Sequence, residues 1–322
     1  MFISPAVAGE KLIIASCSGK VYGLDRASGK PAWTYDTAED GPRAEFHGEA
    51  VSVGGNLIVP SDSEAAANVY AFDAATGDAY WKMPFEGGVM STPLVAGQSV
   101  IVAGAAGKLA RIDAITGKAL WTATPDGTRP LLPRISAPAM DAKRVYFTSN
   151  DPRLFALDAS TGKTLWKQDL PARINTSLAV HGGLLYGGGG NHLYAFDPAT
   201  GVLRHRLLLG GLPYGTLVFA PPLVIVLVNG SPSKLVAVDL ASHAVKWERT
   251  TPREWTTMKP LVHDGAVIAG TEEKELCAFA LSDGEPRWCM SVPQVPRGLG
   301  TAEGMLYLGT LNGRVLAYRL PK

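Results

Sequence analysis

A ten-residue pattern recurs along this chain in nearly constant phase, and it constrains the fold more than any other feature. The copies read LDRASGKPAW (24–33), FDAATGDAYW (72–81), IDAITGKALW (112–121), LDASTGKTLW (157–166), FDPATGVLRH (196–205) and VDLASHAVKW (238–247). Four of them hold Asp, Gly and Trp at fixed offsets: Asp25, Gly29 and Trp33; Asp73, Gly77 and Trp81; Asp113, Gly117 and Trp121; Asp158, Gly162 and Trp166. The fifth keeps Asp197 and Gly201 but has His205 in the Trp slot, and the sixth keeps Asp239 and Trp247 but has His243 in the Gly slot. A seventh, FALSDGEPRW (279–288), keeps Gly284 and Trp288 and places Ala280 where the Asp belongs. The Asp positions advance by 48, 40, 45, 39 and 42 residues, and six of the seven Trp residues occupy the one slot. A unit of about 43 residues cannot bury an apolar face alone, so such units must stack on their neighbours.

Alternation and turn signals divide each unit into four strands. In residues 91–123, Ser91 to Val95 reads as strand A, Ser99 to Ala103 as B, Lys108 to Asp113 as C and Lys118 to Thr122 as D, with turns at Ala96-Gly97-Gln98, Gly104–Gly107 and Ala114–Gly117. The motif Asp accepts hydrogen bonds from backbone N–H groups two or three residues on, and Gly supplies a positive φ. His243 in the Gly slot therefore predicts a distorted sixth turn. The Trp opens an outer strand, where a large flat ring fills the wedge between adjacent units. The small residue two positions before the Asp, as in Ala71, Ala156, Ala195 and Ala237, leaves room beside it. A period near 43 with four strands per unit matches propeller blades.

The pattern A-x-D-x-x-T-G-x-x-x-W resembles the repeat of the pyrroloquinoline-quinone (PQQ)-like β-propeller superfamily, and the resemblance covers residues 1–322 as a single domain. It implies an all-β, eight-bladed β-propeller of four-stranded antiparallel blades. Eight strand-A starts agree, near residues 4, 48, 91, 135, 175, 215, 257 and 298. The final unit supplies only strands A, B and C before Lys322, so the last blade is expected to lack its outer strand, or the chain to be truncated upstream.

Composition fits a turn-rich fold: 36 Gly and 23 Pro suit neither coiled coil nor long helices. A net charge of +1 removes the usual cue for nucleic acid. The longest apolar run, Leu217 to Val228, is 12 residues and contains Pro221 and Pro222, too short for the ~20 of a spanning helix. No export signal is read at the N-terminus. Ile14-Ala15-Ser16-Cys17 imitates a lipobox, but the repeat claims it as part of a strand.

The superfamily contains PQQ- and calcium-dependent alcohol dehydrogenases, with a catalytic Asp and an adjacent-cysteine disulfide, and also cofactor-free binding platforms of the BamB type. This sequence departs from the enzymes. Its cysteines, Cys17, Cys277 and Cys289, include no adjacent pair, and the motif Asp residues are committed to turns, leaving no distinctive acid for a Ca²⁺ site. The six His residues are scattered, without the i, i+4 pair of a zinc helix. Gly187 to Gly190 reads as a hairpin turn between B and C. Cys277 and Cys289 flank the seventh turn, but the repeat gives one a packing place and the other a solvent-facing one. Their symmetric placement about Asp283 allows a cross-strand disulfide, but the repeat places them on opposite faces, which argues against one.

In an A-B-C-D meander, the D-to-A and B-to-C connections share one face of the ring, and this face carries the irregular segments. Large residues stand there just ahead of strand A: His47, Arg134, Arg173, Tyr214, Trp255 and Arg297. They are read as the rim of a shallow, partly basic funnel, and Trp255 as the one Trp the repeat does not explain. The expectation is a non-catalytic protein- or peptide-binding scaffold of the bacterial cell envelope, periplasmic or otherwise extracytoplasmic by resemblance, with no cofactor or metal. The alternatives are a PQQ- and calcium-dependent dehydrogenase and a ligand-sensing ectodomain of a larger membrane protein or kinase.

Overall fold

Turn chemistry repeated at each motif sets the order of the strands. In the computed structural model, Asp113 Oδ1 accepts from the Ile115 and Thr116 amides at 3.1 and 2.8 Å, and the Gly117 amide closes onto the Asp113 carbonyl at 2.9 Å. The structure describes all residues except 1–3, 64–66, 126–136, 150, 252, 257, 312 and 321–322. Strands Leu94–Ala96, Ser99–Ala103, Leu109–Asp113 and Ala119–Ala123 pair consecutively into one antiparallel blade. Strand A starts later than expected, after Pro93, which has no N–H to give to a ladder.

Seven such four-stranded sheets and one of three strands, Pro296–Ala302, Met305–Thr310 and Val315–Arg319, make an eight-bladed propeller. Strands A of adjacent blades lie together around the centre. The core is divided among the seams. Ile58 and Ala71 of blade two pack with Val100 and Ala110 of blade three, and Leu12 and Ile14 of blade one with Tyr307 of blade eight. That last seam closes the ring. It is tight enough that a Cβ on Gly300 would meet the Pro5 carbonyl oxygen at 2.4 Å, and Arg26 pairs with Glu303 across it at 2.6 Å. Ile14 and Ala15 lie buried in strand Lys11–Ala15, as the strand reading required. No helix among the described residues is long and apolar enough to cross a membrane.

The Trp slot works across the seams. The indole Nε1 of Trp33, Trp81, Trp121 and Trp247 donates to the Ala74, Ala114, Ala159 and Leu281 carbonyls of the next blade at 3.0–3.1 Å. The same ring lies on the motif Gly of that blade: a Cβ on Gly77 would be 2.5 Å from Trp33, and one on Gly284 2.5 Å from Trp247. The Gly thus has two reasons to be Gly, its positive φ and the ring above it. Across the sheet the Trp faces the small position, Ala71 opposite Trp81 and Gly23 opposite Trp33. Trp166 departs from the rule. Its Nε1 is buried without a partner, because Tyr146 donates to the equivalent Pro198 carbonyl at 3.0 Å.

Three expectations are corrected. The sixth turn is not distorted: His243 adopts φ +54°, its amide closes onto the Asp239 carbonyl at 2.9 Å, and Asp239 accepts from Ala241 and Ser242 as elsewhere. His is among the residues that enter the left-handed region at modest cost. The ring of His243 lies where Trp would crowd a Gly, and it stacks on His205 of the preceding blade at 3.7 Å between centroids. The two exceptions to the repeat are therefore one seam, Trp-on-Gly replaced by His-on-His.

Second, Cys277 and Cys289 form a disulfide, with Cα atoms 4.1 Å apart. They are direct cross-strand partners, like Tyr22 and Thr34 or Tyr70 and Lys82 in blades one and two. A long polar side chain reaches solvent from the same face on which its stem covers an aromatic ring. An exposed outer position thus did not mean the opposite face. Third, Gly187, Gly188 and Gly189 belong to strand Leu184–Gly189, and only Gly190 lies in the turn. A Cβ on Gly188 would meet Pro213 and Thr176 at 2.8 Å, so these glycines admit neighbouring backbone.

Candidate functional site

Short A-to-B and C-to-D turns cover one face of the ring, while long connections form the other. Those connections are tied down in a recurring way: the D-to-A linker bridges to the end of strand B in the blade it enters. Glu45 pairs with Asp62, Ile174 with Gly189 and Trp255 with Thr271, and Thr176 pairs in parallel with Gly215. Loop residues are thus held on a rigid scaffold, the usual setting for binding.

The rim residues separate by environment. Arg173 is exposed, and Tyr214 is partly buried at the start of strand Leu212–Ala220. Arg297 is largely buried and makes two hydrogen bonds to Glu272, at 2.6 and 3.1 Å, which commits its charge. Trp255 is 3% exposed: its Nε1 donates to the Lys234 carbonyl at 2.9 Å and its ring meets Phe279 edge-on, inside the seam between blades six and seven. It has a packing role of its own, outside the repeat slot. Arg134 lies outside the described residues.

His47 has the richest surroundings. Its side chain is 7% exposed, Nδ1 lies 2.9 Å from Asp62 Oδ2, and Nε2 lies 3.4 Å from Glu45 Oε2. Cys17, in the B-to-C turn of blade one, joins the group, and the ligand atoms of Cys17, Glu45 and His47 lie within 4.8 Å of one another. Burial raises the Cys17 pKa, but hydrogen bonding to His47 and its charge outweigh this and leave the thiol below its usual value. Sequence reading singled out His47 but missed Glu45, two residues before it, and also Cys17 and Asp62, which come from separate segments of two blades.

Inside the channel, a cavity of about 180 Å³ is lined by Ser4, Glu49, Lys259, Pro260 and Leu299 among others. That is smaller than the ~300–1,000 Å³ of small-molecule sites. The Glu49 carboxylate there accepts from Ser4 Oγ. A PQQ–Ca²⁺ centre needs six to eight oxygen ligands on calcium. One carboxylate beside a lysine does not fit it, and the disulfide lies between the two outer strands of blade seven rather than in the channel.

Ring, turns and seams define a PQQ-repeat propeller. The family described as outer membrane protein assembly factor BamB matches residues 17–147 and 128–321, and this chain belongs to it. The BamB of Moranella endobia is 23% identical over 303 residues, covering 88% of this chain and 76% of the relative. The crystal structure of BamB from Moraxella catarrhalis superposes with a TM-score of 0.76 at 20% identity, over 99% of this chain and 96% of that one, which shows the fold. A polyvinylalcohol dehydrogenase of Sphingopyxis is 32% identical over 149 residues, but this spans 38% of the chain and 22% of the enzyme.

Proposed function

We propose that this chain is a non-catalytic, protein-binding scaffold of the bacterial cell envelope, acting in outer-membrane protein assembly as its BamB relatives are named to do. The observation that carries the reading is the contrast within the ring. Among the described residues, the cavity lined by Ser4, Glu49 and Lys259 offers about 180 Å³ and one carboxylate, too few oxygen donors for a quinone–calcium centre, whereas one face carries long connections pinned by strand-like bridges. An extracytoplasmic setting is supported by the Cys277–Cys289 bond, since disulfides persist in oxidising compartments. The partner is expected to contact the rim around Arg173 and Tyr214.

Dehydrogenase activity is the second reading, favoured by the match to the Sphingopyxis enzyme. A titration of the purified chain with PQQ and Ca²⁺, followed by quinone absorbance and by alcohol-dependent dye reduction, separates the two. No saturable binding and no turnover are expected. Stoichiometric quinone binding with turnover would replace the scaffold reading.

A further inference from the structure

We infer that Cys17, Glu45 and His47 form a binding site for a zinc-type transition-metal dication, with Asp62 as the residue that orients the histidine. The donor set is one sulfur, one oxygen and one nitrogen, a mixture that suits zinc and its neighbours and does not suit Mg²⁺ or Ca²⁺, which favour oxygen alone. Zinc bonds of about 2.0–2.3 Å place tetrahedral ligands roughly 3.3–3.8 Å apart. The three ligand atoms already lie within 4.8 Å of one another, and the His47–Glu45 edge is 3.4 Å. Small side-chain adjustments close the rest.

The hydrogen-bond geometry points the same way. His47 Nδ1 lies 2.9 Å from Asp62 Oδ2, and Nε2 is the ring nitrogen turned toward Glu45 Oε2, at 3.4 Å. A cation between Nε2 and that carboxylate would be coordinated by both. Carboxylate–histidine–metal relays use this geometry, the carboxylate fixing tautomer and ring orientation.

The supporting backbone is built to hold this arrangement. Glu45 and Asp62 exchange both backbone hydrogen bonds, at 2.8 and 2.7 Å, which fixes one carboxylate relative to the other. The Cys17 turn is anchored through the Gly19 carbonyl, which accepts from the Thr37 amide at 3.0 Å and the Thr37 hydroxyl at 2.9 Å. Opposite Asp62 stands Gly88, where a Cβ would lie 2.3 Å from Oδ1. Three protein ligands leave a fourth position open, and Glu45, at 56% exposed, is the ligand that faces solvent. Because Cys17 belongs to blade one and Glu45 is bridged through its backbone to Asp62 of blade two, the bound ion would clamp that seam on the irregular face.

The test is a Co²⁺ titration of the metal-stripped full-length chain. Cys277 and Cys289 are bonded to each other, so a thiolate-to-cobalt band reports Cys17 alone. The expected result is near-ultraviolet charge-transfer and visible bands saturating at one equivalent, displaced by Zn²⁺, with a raised melting temperature. Cys17→Ser should abolish the charge-transfer band and His47→Ala the stoichiometric binding. Asp62→Asn should weaken affinity by roughly 10- to 100-fold while leaving the band's position unchanged. Each variant is checked for parental melting in EDTA, and Zn²⁺ should slow alkylation of Cys17 in the parent. Absence of the band at one equivalent, or its persistence in Cys17→Ser, overturns the site. Unchanged affinity in Asp62→Asn overturns the role given to Asp62.

Discussion

The two faces of the ring are built by different means. On the turn face, blades two to five repeat the same Asp-capped turn, and its Gly lies under the Trp of the blade before. On the opposite face the described segments differ in length and sequence, and three of the linkers are bridged to the end of strand B in the blade they enter. One face therefore carries stability in many equal instalments, as expected of repeats that bury surface only against neighbours. The other is left free to vary in side chains, and the His47 cluster and the exposed Arg173 are found there. Mutations should divide along the same line.

The largest effect is expected from the turn face. Trp247→Ala removes a buried ring and its bond to Leu281, and should cost about 3–5 kcal/mol in urea unfolding. The Cys277–Cys289 bond closes a short loop, and Cys277→Ser with Cys289→Ser should cost about 3 kcal/mol. Gly284→Ala meets both a φ of +76° and the Trp247 ring, and should cost at least about 1–2 kcal/mol. A value near zero for Gly284→Ala would show that the seam adapts where the contacts say it cannot.

A smaller effect belongs to the seam that breaks the pattern. Burial, then the neighbouring His205, hold the His243 pKa below 6.5, while Asp239 pulls the other way. A histidine that is harder to protonate when folded stabilises fully above about 6.5 and loses that contribution as pH falls through its folded pKa. Melting temperature should therefore drop on acidification below about 6.5. In His205→Trp with His243→Gly, which restores the ordinary seam, that part of the drop should vanish. An unchanged pH profile in the double variant would deny the His pair any role in it. Smallest of all, Arg173→Ala, at an exposed position, should change stability by about 0.5 kcal/mol or less, while reducing partner binding.

What was legible in the sequence follows the same division. Asp113 and Gly117 announce their turn because the hydrogen bonds that need them are two to four residues away. Six Trp residues in one slot announce the seam because the repeat writes it again in six blades. His205 and His243 looked like two unrelated exceptions, since their contact joins positions 38 residues apart in neighbouring blades. Cys277 and Cys289 were misread because an exposed outer position was taken for the opposite face. Trp255 was misread because its seam lies outside the slot. The Cys17–His47–Asp62 grouping had no local signature at all, for its members meet only when blade one packs on blade two.

The most direct measurement of the division between faces is photocrosslinking in the intact bacterial envelope. A photoreactive amino acid is placed at Arg173 or Tyr214 on the irregular face, and at Thr116 or Ser160 on the turn face. The expected result is discrete adducts to protein partners from the first pair and none from the second. Adducts from the turn face alone, or in equal yield from both faces, would contradict the assignment of the irregular face as the binding platform.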